Sequence, residues 1–244
     1  QPCSSAASDV YKRQIQNLMD LKEDGSFKLN MKFFNYATGL TMTNKKFSDL
    51  FGHPVRNPKK DLLEDFHMDI AASIQSVTEE IVIRITKNIA SEYKIKNLCL
   101  AGGVALNCVA NGKILRQKIF DDIWIQPAAG DAGGSLGAAL AYWHHELKKP
   151  RENFQDQMKG AYLGPKLSEK NVEDQLKKLK ARYTKKSSSE ISSIVAKELS
   201  NGKTVGWFQG RMEFGPRALG ARSILADPRS EKMQKELNLK IKFR

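Results

Sequence analysis

Cysteine is scarce in this sequence. Its three cysteines, Cys3, Cys99 and Cys108, are an odd number, and no two of them have a Cys-x-x-Cys spacing. These features exclude the disulfide framework of a small secreted protein and a zinc knuckle. A chain with so few thiols fits the reducing cytoplasm, and we expect that location.

Long apolar runs are also lacking. No run approaches the roughly 20 residues that a helix needs to cross a bilayer, and no charged-then-apolar leader opens the chain. We therefore expect a protein that is neither membrane-spanning nor exported.

Acidic residues are outnumbered by basic ones, 27 to 40, which gives a formal net charge of +13. Such a balance suits nucleic acid, an acidic membrane or a phosphate-rich substrate. Many lysines, however, lie in short runs between Lys177 and Lys186, a pattern typical of a solvated helix face. The charge therefore selects no partner by itself. We expect no nucleic-acid or membrane partner, and the sequence does not determine the oligomeric state.

Both ends of the sequence are unusual. The opening, QPCSSAASDVYKRQ, lacks an initiating methionine and resembles translated vector sequence, so we predict that residues 1–14 are a non-native leader. The far end, LNLKIKFR, stops inside a patterned segment without a turn or tail. We expect a fragment that is cut at both ends and inactive by itself.

The order of apolar patterns predicts an α/β fold. After a hairpin signalled by Asp24-Gly25, residues 61–93 carry isoleucine and valine at spacings of three and four, which predicts one long helix. Two short apolar runs, 97–103 and 122–128, are each followed by a glycine-containing turn and a helical pattern. Strand, glycine turn and helix in repetition are typical of an α/β domain.

A domain boundary is predicted at 150–165, where the chain becomes polar and contains prolines and glycines. We predict a first domain at 15–155 and a second, smaller α/β domain at 156–244. The second begins with helical patterns at 168–181 and 188–200.

Gly102 and Gly103 close the first of the two apolar runs. A turn without side chains lets backbone N–H groups approach a phosphate, and the following helix N-terminus adds partial positive charge. Asn107, a little further on, is placed to hydrogen-bond nucleotide oxygens. A tight strand-to-helix turn with no ligand explains the same residues, so this motif alone is a weak signal.

The stretch QPAAGDAGGSLGAAL, residues 126–140, repeats this design after the second run. Asp131 stands at the expected helix start, where its simplest role is an N-cap worth about 1 kcal/mol. That role leaves Gly133, Gly134 and Gly137 unexplained, because each costs about 1 kcal/mol relative to alanine inside a helix. Glycine there allows a phosphate or another backbone to approach, and Asp131 can hold a divalent metal that binds phosphate oxygens. The two turns predict a nucleotide and metal cleft.

Four stretches together resemble a known family, in order and spacing: LAGGVALNCVANGKI, QPAAGDAGGSLGAAL, YLGP and GRMEFGPRALGARSILADPR. They are similar to the O-carbamoyltransferases of nodulation-factor and antibiotic biosynthesis, over most of residues 15–244. The resemblance implies that residues 15–155 are the C-terminal part of an actin-like ATPase domain of ribonuclease H-like fold. Residues 156–244 then begin a YrdC-like domain, the kind that forms carbamoyl adenylate.

The resemblance also implies a two-step reaction. Carbamoyl phosphate and ATP yield carbamoyl adenylate and pyrophosphate, and the carbamoyl group then passes to a hydroxyl of a small, sugar-like acceptor. Asp131 matches the family's aspartate ligand of an iron-type divalent metal. The family's other ligands, a His-x-x-x-His pair, have no match among the four histidines His53, His67, His144 and His145, which we attribute to truncation.

The arginine-rich segment, residues 210–229, is the most specific part of the resemblance. Its guanidinium groups, those of Arg211, Arg217, Arg222 and Arg229, surround a Phe-Gly-Pro turn. A planar guanidinium gives bidentate hydrogen bonds to phosphate oxygens, so several of them suit carbamoyl phosphate.

Arg211 is our first choice as the residue that binds carbamoyl phosphate, and with Asp131 it forms the predicted catalytic pair. Lys242 and Arg244, in an Ile-Lys-x-Arg pattern at the far end, are the second choice. Arg217 and Arg222 bind the same anion or have a structural role. The alternative is a surface turn whose arginines pair with acids such as Glu213 and Asp227.

Two other functions stay open. A different actin-like-fold phosphotransferase, such as a sugar kinase, explains both glycine turns but not the arginine segment. A basic RNA-binding module is suggested by the isoelectric point near 9.6, although we expect the tryptophans Trp124, Trp143 and Trp207 in the core. Cys108 is likewise expected to be a packed residue and not a nucleophile.

Overall fold

The computed structural model of the chain describes residues 9–57, 60–151 and 155–242. Over these residues the protein is mixed α/β, with three two-stranded sheets among eight α-helices. The strands are β1 Met19–Leu21, β2 Phe27–Leu29, β3 Asn97–Leu100, β4 Asp122–Ile125, β5 Val205–Phe208 and β6 Arg222–Leu225. The helices are α1 Lys12–Gln16, α2 Lys45–Phe51, α3 Asp65–Tyr93, α4 Cys108–Arg116, α5 Asp131–Ala141, α6 Glu169–Lys178, α7 Ser188–Ser200 and α8 Met233–Leu237.

The chain divides into two compact units. The first contains Gln1–Leu100 and Val104–Ile125, and the second contains Ala101–Gly103 and Gln126–Arg244. The turn after β3 therefore belongs to the second unit although the strand belongs to the first. The predicted boundary between residues 155 and 156 stays a prediction.

The predicted hairpin is confirmed in the first unit. Strands β1 and β2 pair antiparallel, with Met19 opposite Leu29, and the side chain of Asp24 accepts the Ser26 N–H at 2.9 Å inside the turn. Gly25 has a φ of +86°, and a Cβ there would lie 2.5 Å from the backbone nitrogen of Ile85. The turn thus requires glycine both for its conformation and for its close contact with α3.

Helix α3 is the long helix that the isoleucine and valine spacing predicts. One face buries Val77 and Ile81, which pack with Ile15, Leu18 and Phe51. The helix starts at Asp65, four residues after the predicted start at 61, and Glu64 precedes it as the N-cap residue. The Glu64 N–H donates to Nδ1 of His67 at 3.1 Å, which fixes this end of the helix.

The predicted strand–helix–strand unit is also confirmed. Strands β3 and β4 pair in parallel, Asn97 opposite Asp122 through Leu100 opposite Ile125, and α4 connects them. Their core consists of Leu98, Ile114 and Phe120. Parallel strands joined through a helix are the elementary unit of α/β folds.

The second unit buries small residues and few large ones. Ala128, Ala129, Ala161 and Ala221 are almost fully buried, while α5, α6 and α7 contain no fully buried residue. Strands β5 and β6 pair antiparallel, Val205 opposite Leu225. The close packing of alanines indicates that backbone segments, more than side chains, meet in this unit.

Two expectations about packing are wrong. Trp124 is 46% and Trp143 49% exposed, and Cys108 is an exposed free thiol at the start of α4. Trp207 is half-buried on β5. Apolar character alone does not show which face of a strand or helix is covered.

Part of the predicted non-native leader is described. In residues 9–14, the Tyr11 N–H donates to Oγ of Ser73 at 3.2 Å, and Lys12 pairs with Glu80 at 3.1 Å. Both contacts are with α3, and residues 1–8 lie outside the described residues. Within the described ranges, no helix has both the length and the apolar character that crossing a membrane requires.

Candidate functional site

The two predicted glycine turns are joined by a backbone hydrogen bond. The Gly102 N–H donates to the carbonyl of Ala129 at 2.8 Å, and both residues belong to the second unit. Gly102 has a φ of +99°, which favours glycine. The turn that follows β3 thus lies directly beside the turn that precedes α5.

The glycines of these turns are of two kinds. A Cβ on Gly133 would lie 2.1 Å from the carbonyl oxygen of Ala128, so the start of α5 packs against backbone there. Gly102, Gly103 and Gly134 have nothing within 4 Å of an added Cβ. Packing therefore explains Gly133, whereas the space beside the other three is open to a ligand.

Asp131 is not the N-cap of α5, and that simplest interpretation is wrong. Gly130 is the N-cap residue and Asp131 is the first residue of the helix. Its side chain is exposed, so its carboxylate stands at the positive end of the helix dipole. Among the residues that the structure describes, no three or more His, Cys, Asp or Glu side chains are grouped to hold a metal ion.

Asn107 is the N-cap of α4 in the first unit. Its Oδ1 accepts the Ala110 N–H at 3.1 Å, and its amide pairs reciprocally with that of Gln75, at 2.9 and 3.1 Å. The Gln75 amide also donates to the buried Glu79 at 2.8 Å, and Glu79 pairs with Lys113. The cap therefore belongs to a polar network between α3 and α4.

Arg211 connects the arginine segment to the YLGP motif. One guanidinium nitrogen donates to the Gly164 carbonyl at 2.8 Å, and Arg211 forms an isolated antiparallel bridge with Lys166. A Cβ on Gly164 would lie 2.9 Å from both Cβ and the carbonyl oxygen of Met212, so the two motifs are in direct contact. The side chain of Arg211 is otherwise exposed.

Arg222 is held within the protein. Its Nε donates to Oε2 of Glu213 at 3.2 Å, and its Nη2 donates to the Gly215 carbonyl at 2.6 Å. The carboxylate of Glu213 also accepts the N–H groups of Leu219 at 2.6 Å and Ala221 at 2.8 Å. Burial raises the pKa of Glu213, but these donors outweigh it and lower the pKa to about 2.

Arg229 and Asp227 form a separate pair. Nε and Nη2 of Arg229 donate to the carboxylate at 2.7 to 3.1 Å. These hydrogen bonds lower the pKa of Asp227 to about 2. The alternative expectation, arginines paired to Glu213 and Asp227, is therefore correct for two of the four arginines.

Arg217 differs from its neighbours. Within the segment 210–229, it is the one arginine whose guanidinium has no hydrogen-bond or ion-pair partner among the residues that the structure describes. It is exposed between Pro216 and Ala218. The side chain of Lys242 and the whole of Arg244 lie outside the described residues, so their predicted role stays a prediction.

The arginine segment contacts the turn that leads to Asp131. Gly215 has a φ of +135°, and a Cβ there would lie 2.7 Å from the carbonyl oxygen of Pro127. Both residues lie in the second unit. The structure thus brings two of the recognised motifs into contact, through residues about 90 positions apart in the sequence.

Sequence reasoning missed two organising residues. The sequence indicates Glu213 only as a partner for surface arginines, whereas in the structure it is 4% exposed. Gln75 was hidden within the helical pattern of α3, because a polar residue on a mostly apolar helix face gives no sign of its partner. An acid inside a glycine-rich and proline-containing loop is a usable signal, since such loops need acceptors for their backbone N–H groups.

Comparison with known protein families identifies this chain. Residues 5–140 match the family described as carbamoyltransferase N-terminus, and residues 196–244 match carbamoyltransferase C-terminus. The chain belongs to the carbamoyltransferase family.

Three relatives illustrate the similarity. The chain is 57% identical over 233 residues to the uncharacterized protein sll1178 of Synechocystis, covering 94% of this chain and 38% of that protein. It is 45% identical over 181 residues to nodulation protein NolO of Bradyrhizobium diazoefficiens, covering 73% and 32%. Nodulation protein U of Sinorhizobium fredii is 34% identical over 181 residues, covering 72% and 29%. The chain thus spans well under half of each relative.

Proposed function

We propose that the chain is part of an ATP-dependent O-carbamoyltransferase acting on a hydroxyl of a small, sugar-like acceptor. In the first step, water and carbamoyl phosphate give carbamate and inorganic phosphate, and a carbamate oxygen displaces pyrophosphate from the α-phosphorus of ATP. In the second step, the acceptor oxygen attacks the carbamoyl carbon, the bond to AMP breaks, and the hydroxyl proton is lost.

The observation that carries this proposal is the hydrogen bond between Gly102 and Ala129. It places two glycine turns side by side, and Gly103 and Gly134 leave open space beside them. Backbone N–H groups at such turns are suited to bind phosphate oxygens. Since the Gly102 N–H is already used, we assign nucleotide contact to Gly103 and to the open start of α5.

Asn107 has a more limited role than the sequence suggests. Its Oδ1 is engaged by Ala110 and Gln75, and one N–H of its amide reaches Gln75. We propose that the remaining N–H donates to a nucleotide oxygen while the rest of the side chain caps α4.

Arg211 and Arg217 are proposed to bind the phosphate of carbamoyl phosphate. Both are exposed, and each has guanidinium N–H groups that no acceptor in the described part of the chain uses. Arg222 is proposed to act through its contacts with Glu213 and Gly215. The cations stabilise the phosphate charge that changes during the first step, which is the main contribution such a site makes to catalysis.

A divalent, iron-type metal at Asp131 belongs to the same proposal. The carboxylate is exposed at a helix start, but the described residues supply no group of three or more ligand side chains around it. Asp131 alone does not make a metal site. When bound, such a cation would neutralise phosphate charge.

We also propose that the first part of the chain has the actin-like ATPase fold and the last part the YrdC-like fold. The parallel pair β3–β4 with its connecting helix supports the first assignment. The match of residues 196–244 to the carbamoyltransferase C-terminus supports a distinct second region.

Nucleotide products test the proposal against the sugar-kinase alternative, which the two glycine turns also favour. The full-length protein is incubated with ATP, carbamoyl phosphate and a panel of sugar and aminosugar acceptors. We expect AMP and pyrophosphate, formed only when carbamoyl phosphate is present. Formation of ADP together with a phosphorylated acceptor would instead identify a phosphotransferase.

A further inference from the structure

Glu213 is the centre of the loop that carries Arg217. One carboxylate oxygen, Oε1, accepts the N–H groups of both Leu219 and Ala221, and the other, Oε2, accepts Nε of Arg222. An ionised carboxylate can only accept hydrogen bonds, and here it accepts them from N–H groups. A single buried side chain therefore holds the C-terminal end of the loop 214–220.

The N-terminal end of the loop, at Gly215, is held through Arg222. Its Nη2 donates to the Gly215 carbonyl at 2.6 Å, so Glu213 and Arg222 connect both ends of the loop to one ion pair. The hydroxyl of Tyr162, in the YLGP motif, donates to the Leu219 carbonyl at 2.6 Å. The tip between these fixed points, Pro216–Ala218, is exposed.

Burying a carboxylate is unfavourable unless hydrogen bonds and a cation compensate it. A loop that only connected two strands would need no buried charge. Here the buried charge accepts hydrogen bonds from the C-terminal end of the loop, at Leu219, Ala221 and Arg222, and Arg222 connects it to Gly215 at the other end. Arg217, which has no partner among the described residues, lies at the tip. This arrangement fixes the backbone on both sides of Arg217 before any ligand arrives.

We propose that Glu213 is a positioning residue, which holds the loop 214–220 so that Arg217 is presented to the phosphate group of carbamoyl phosphate. The proposal rests on the function proposed above. It goes further by separating the arginine that binds the anion from the buried pair that orients it.

The first test replaces Glu213 by glutamine in the full-length protein. The side chain keeps its size, and its carbonyl still accepts two N–H groups, but its NH2 then faces the Nε–H of Arg222, donor against donor. We expect the KM for carbamoyl phosphate to rise roughly tenfold, about the loss of one charge-assisted hydrogen bond, with the KM for ATP unchanged. An unchanged KM for carbamoyl phosphate would overturn the proposal.

The matched control is Asp227→Asn. It breaks another carboxylate–arginine pair, in the same unit but outside the loop. We expect it to leave the KM for carbamoyl phosphate unchanged. An increase equal to that of Glu213→Gln would show a general effect of charge or stability and would overturn the positioning role.

A double-mutant cycle with Arg217→Met distinguishes positioning from a structural role. If Glu213 acts through Arg217, the variant carrying both Glu213→Gln and Arg217→Met has the same KM as Arg217→Met alone. If the fold-increases in KM of the two single variants multiply in the double variant, Glu213 acts independently of Arg217, which would overturn the proposal. If Arg217→Met leaves the KM for carbamoyl phosphate unchanged, Arg217 does not bind this substrate and the positioning proposal fails. The proposed reaction itself is tested separately, by the formation of AMP and pyrophosphate.

Tyr162→Phe keeps the test usable if Glu213→Gln does not fold. It removes one hydrogen bond to the loop, at Leu219, and retains the aromatic ring. We expect a smaller rise in the KM for carbamoyl phosphate, roughly threefold, which disappears in the Arg217→Met background. A rise that persists in that background would contradict the proposal.

Discussion

Gly215 lies against the backbone of Pro127, so closely that a Cβ on Gly215 would be 2.7 Å from the Pro127 carbonyl oxygen. This contact joins the arginine segment to the turn before α5, and Asp131 is the first residue of that helix. The proposed binding groups for two phosphate-containing substrates are thereby connected through backbone, without an intervening side chain. Because backbone contacts do not adjust as side chains do, this contact gives the site a fixed geometry.

Substitution of Gly215 by alanine tests this contact. The φ of +135° and the contact with Pro127 both oppose a side chain, and we expect a loss of about 2 kcal/mol in unfolding free energy. Thermal or urea unfolding of the full-length protein measures it. Gly206→Ala is the control, since Gly206 has nothing within 4 Å of an added Cβ; equal stability of the two variants would contradict the contact.

Gly133 and Gly134 form a second matched pair. Gly133→Ala places a Cβ 2.1 Å from the Ala128 carbonyl oxygen, and we expect it to destabilise the fold by about 2 kcal/mol. Gly134→Ala meets open space and favours the helix by up to about 1 kcal/mol.

If a phosphate approaches Gly134, that same stable variant has a raised KM for ATP. Unfolding midpoints and ATP kinetics of the two variants separate packing from binding. A Gly134→Ala protein with normal ATP kinetics would remove the start of α5 from the nucleotide site.

Asp131 is expected to matter for activity and not for stability. Its side chain is exposed and does not cap α5, so Asp131→Asn should change the unfolding midpoint little while carbamoyl transfer is abolished. The readouts are thermal unfolding and transfer measured across a divalent-cation titration. Full transfer by the variant would contradict a role in binding metal or nucleotide.

Arg211→Lys keeps the charge but removes the planar fork. One nitrogen of Arg211 already donates to Gly164, so in the proposed site the remaining N–H groups would orient the phosphate. We expect the KM for carbamoyl phosphate to rise about tenfold and the KM for ATP to stay constant. The same KM for carbamoyl phosphate in both proteins would argue against a guanidinium contact at this residue.

The stability of the protein should depend on pH through Glu213, which holds the loop 214–220. Its pKa is about 2 in the folded protein, below the ordinary value of 4.5, so its contribution is present above pH 4.5 and is lost as the pH falls towards 2. The unfolding midpoints of the native protein and Glu213→Gln should therefore differ most above pH 5 and converge in acid. A difference that is independent of pH would contradict this origin.

Local pattern predicts much of the fold. The Asp24-Gly25 signal predicts the β1–β2 hairpin because a turn needs particular residues at particular places. Helix α3 follows from apolar spacing, and only its first residue differs from the prediction, since Glu64 and His67 fix the start by a hydrogen bond. The exposed Trp124 was not predictable, because alternation shows that two faces exist but not which of them is covered.

The candidate site is less predictable from sequence. Glycine at 133 and glycine at 134 look alike in the sequence, although one meets backbone and the other meets open space. Likewise, four arginines in one segment share a charge, but the path of the loop decides that Arg222 pairs with Glu213. The same path leaves Arg217 without a partner among the described residues. Such distinctions depend on tertiary contacts that no local pattern records.

Exchange of labelled pyrophosphate into ATP is the most direct measurement of the proposed chemistry. With the full-length protein and no acceptor, carbamoyl adenylate formation predicts label in ATP only when carbamoyl phosphate is present. The exchange should weaken in Arg211→Lys and in Arg217→Met. Exchange that proceeds equally without carbamoyl phosphate, or no exchange under conditions where carbamoyl transfer is measured, would contradict a carbamoyl adenylate intermediate.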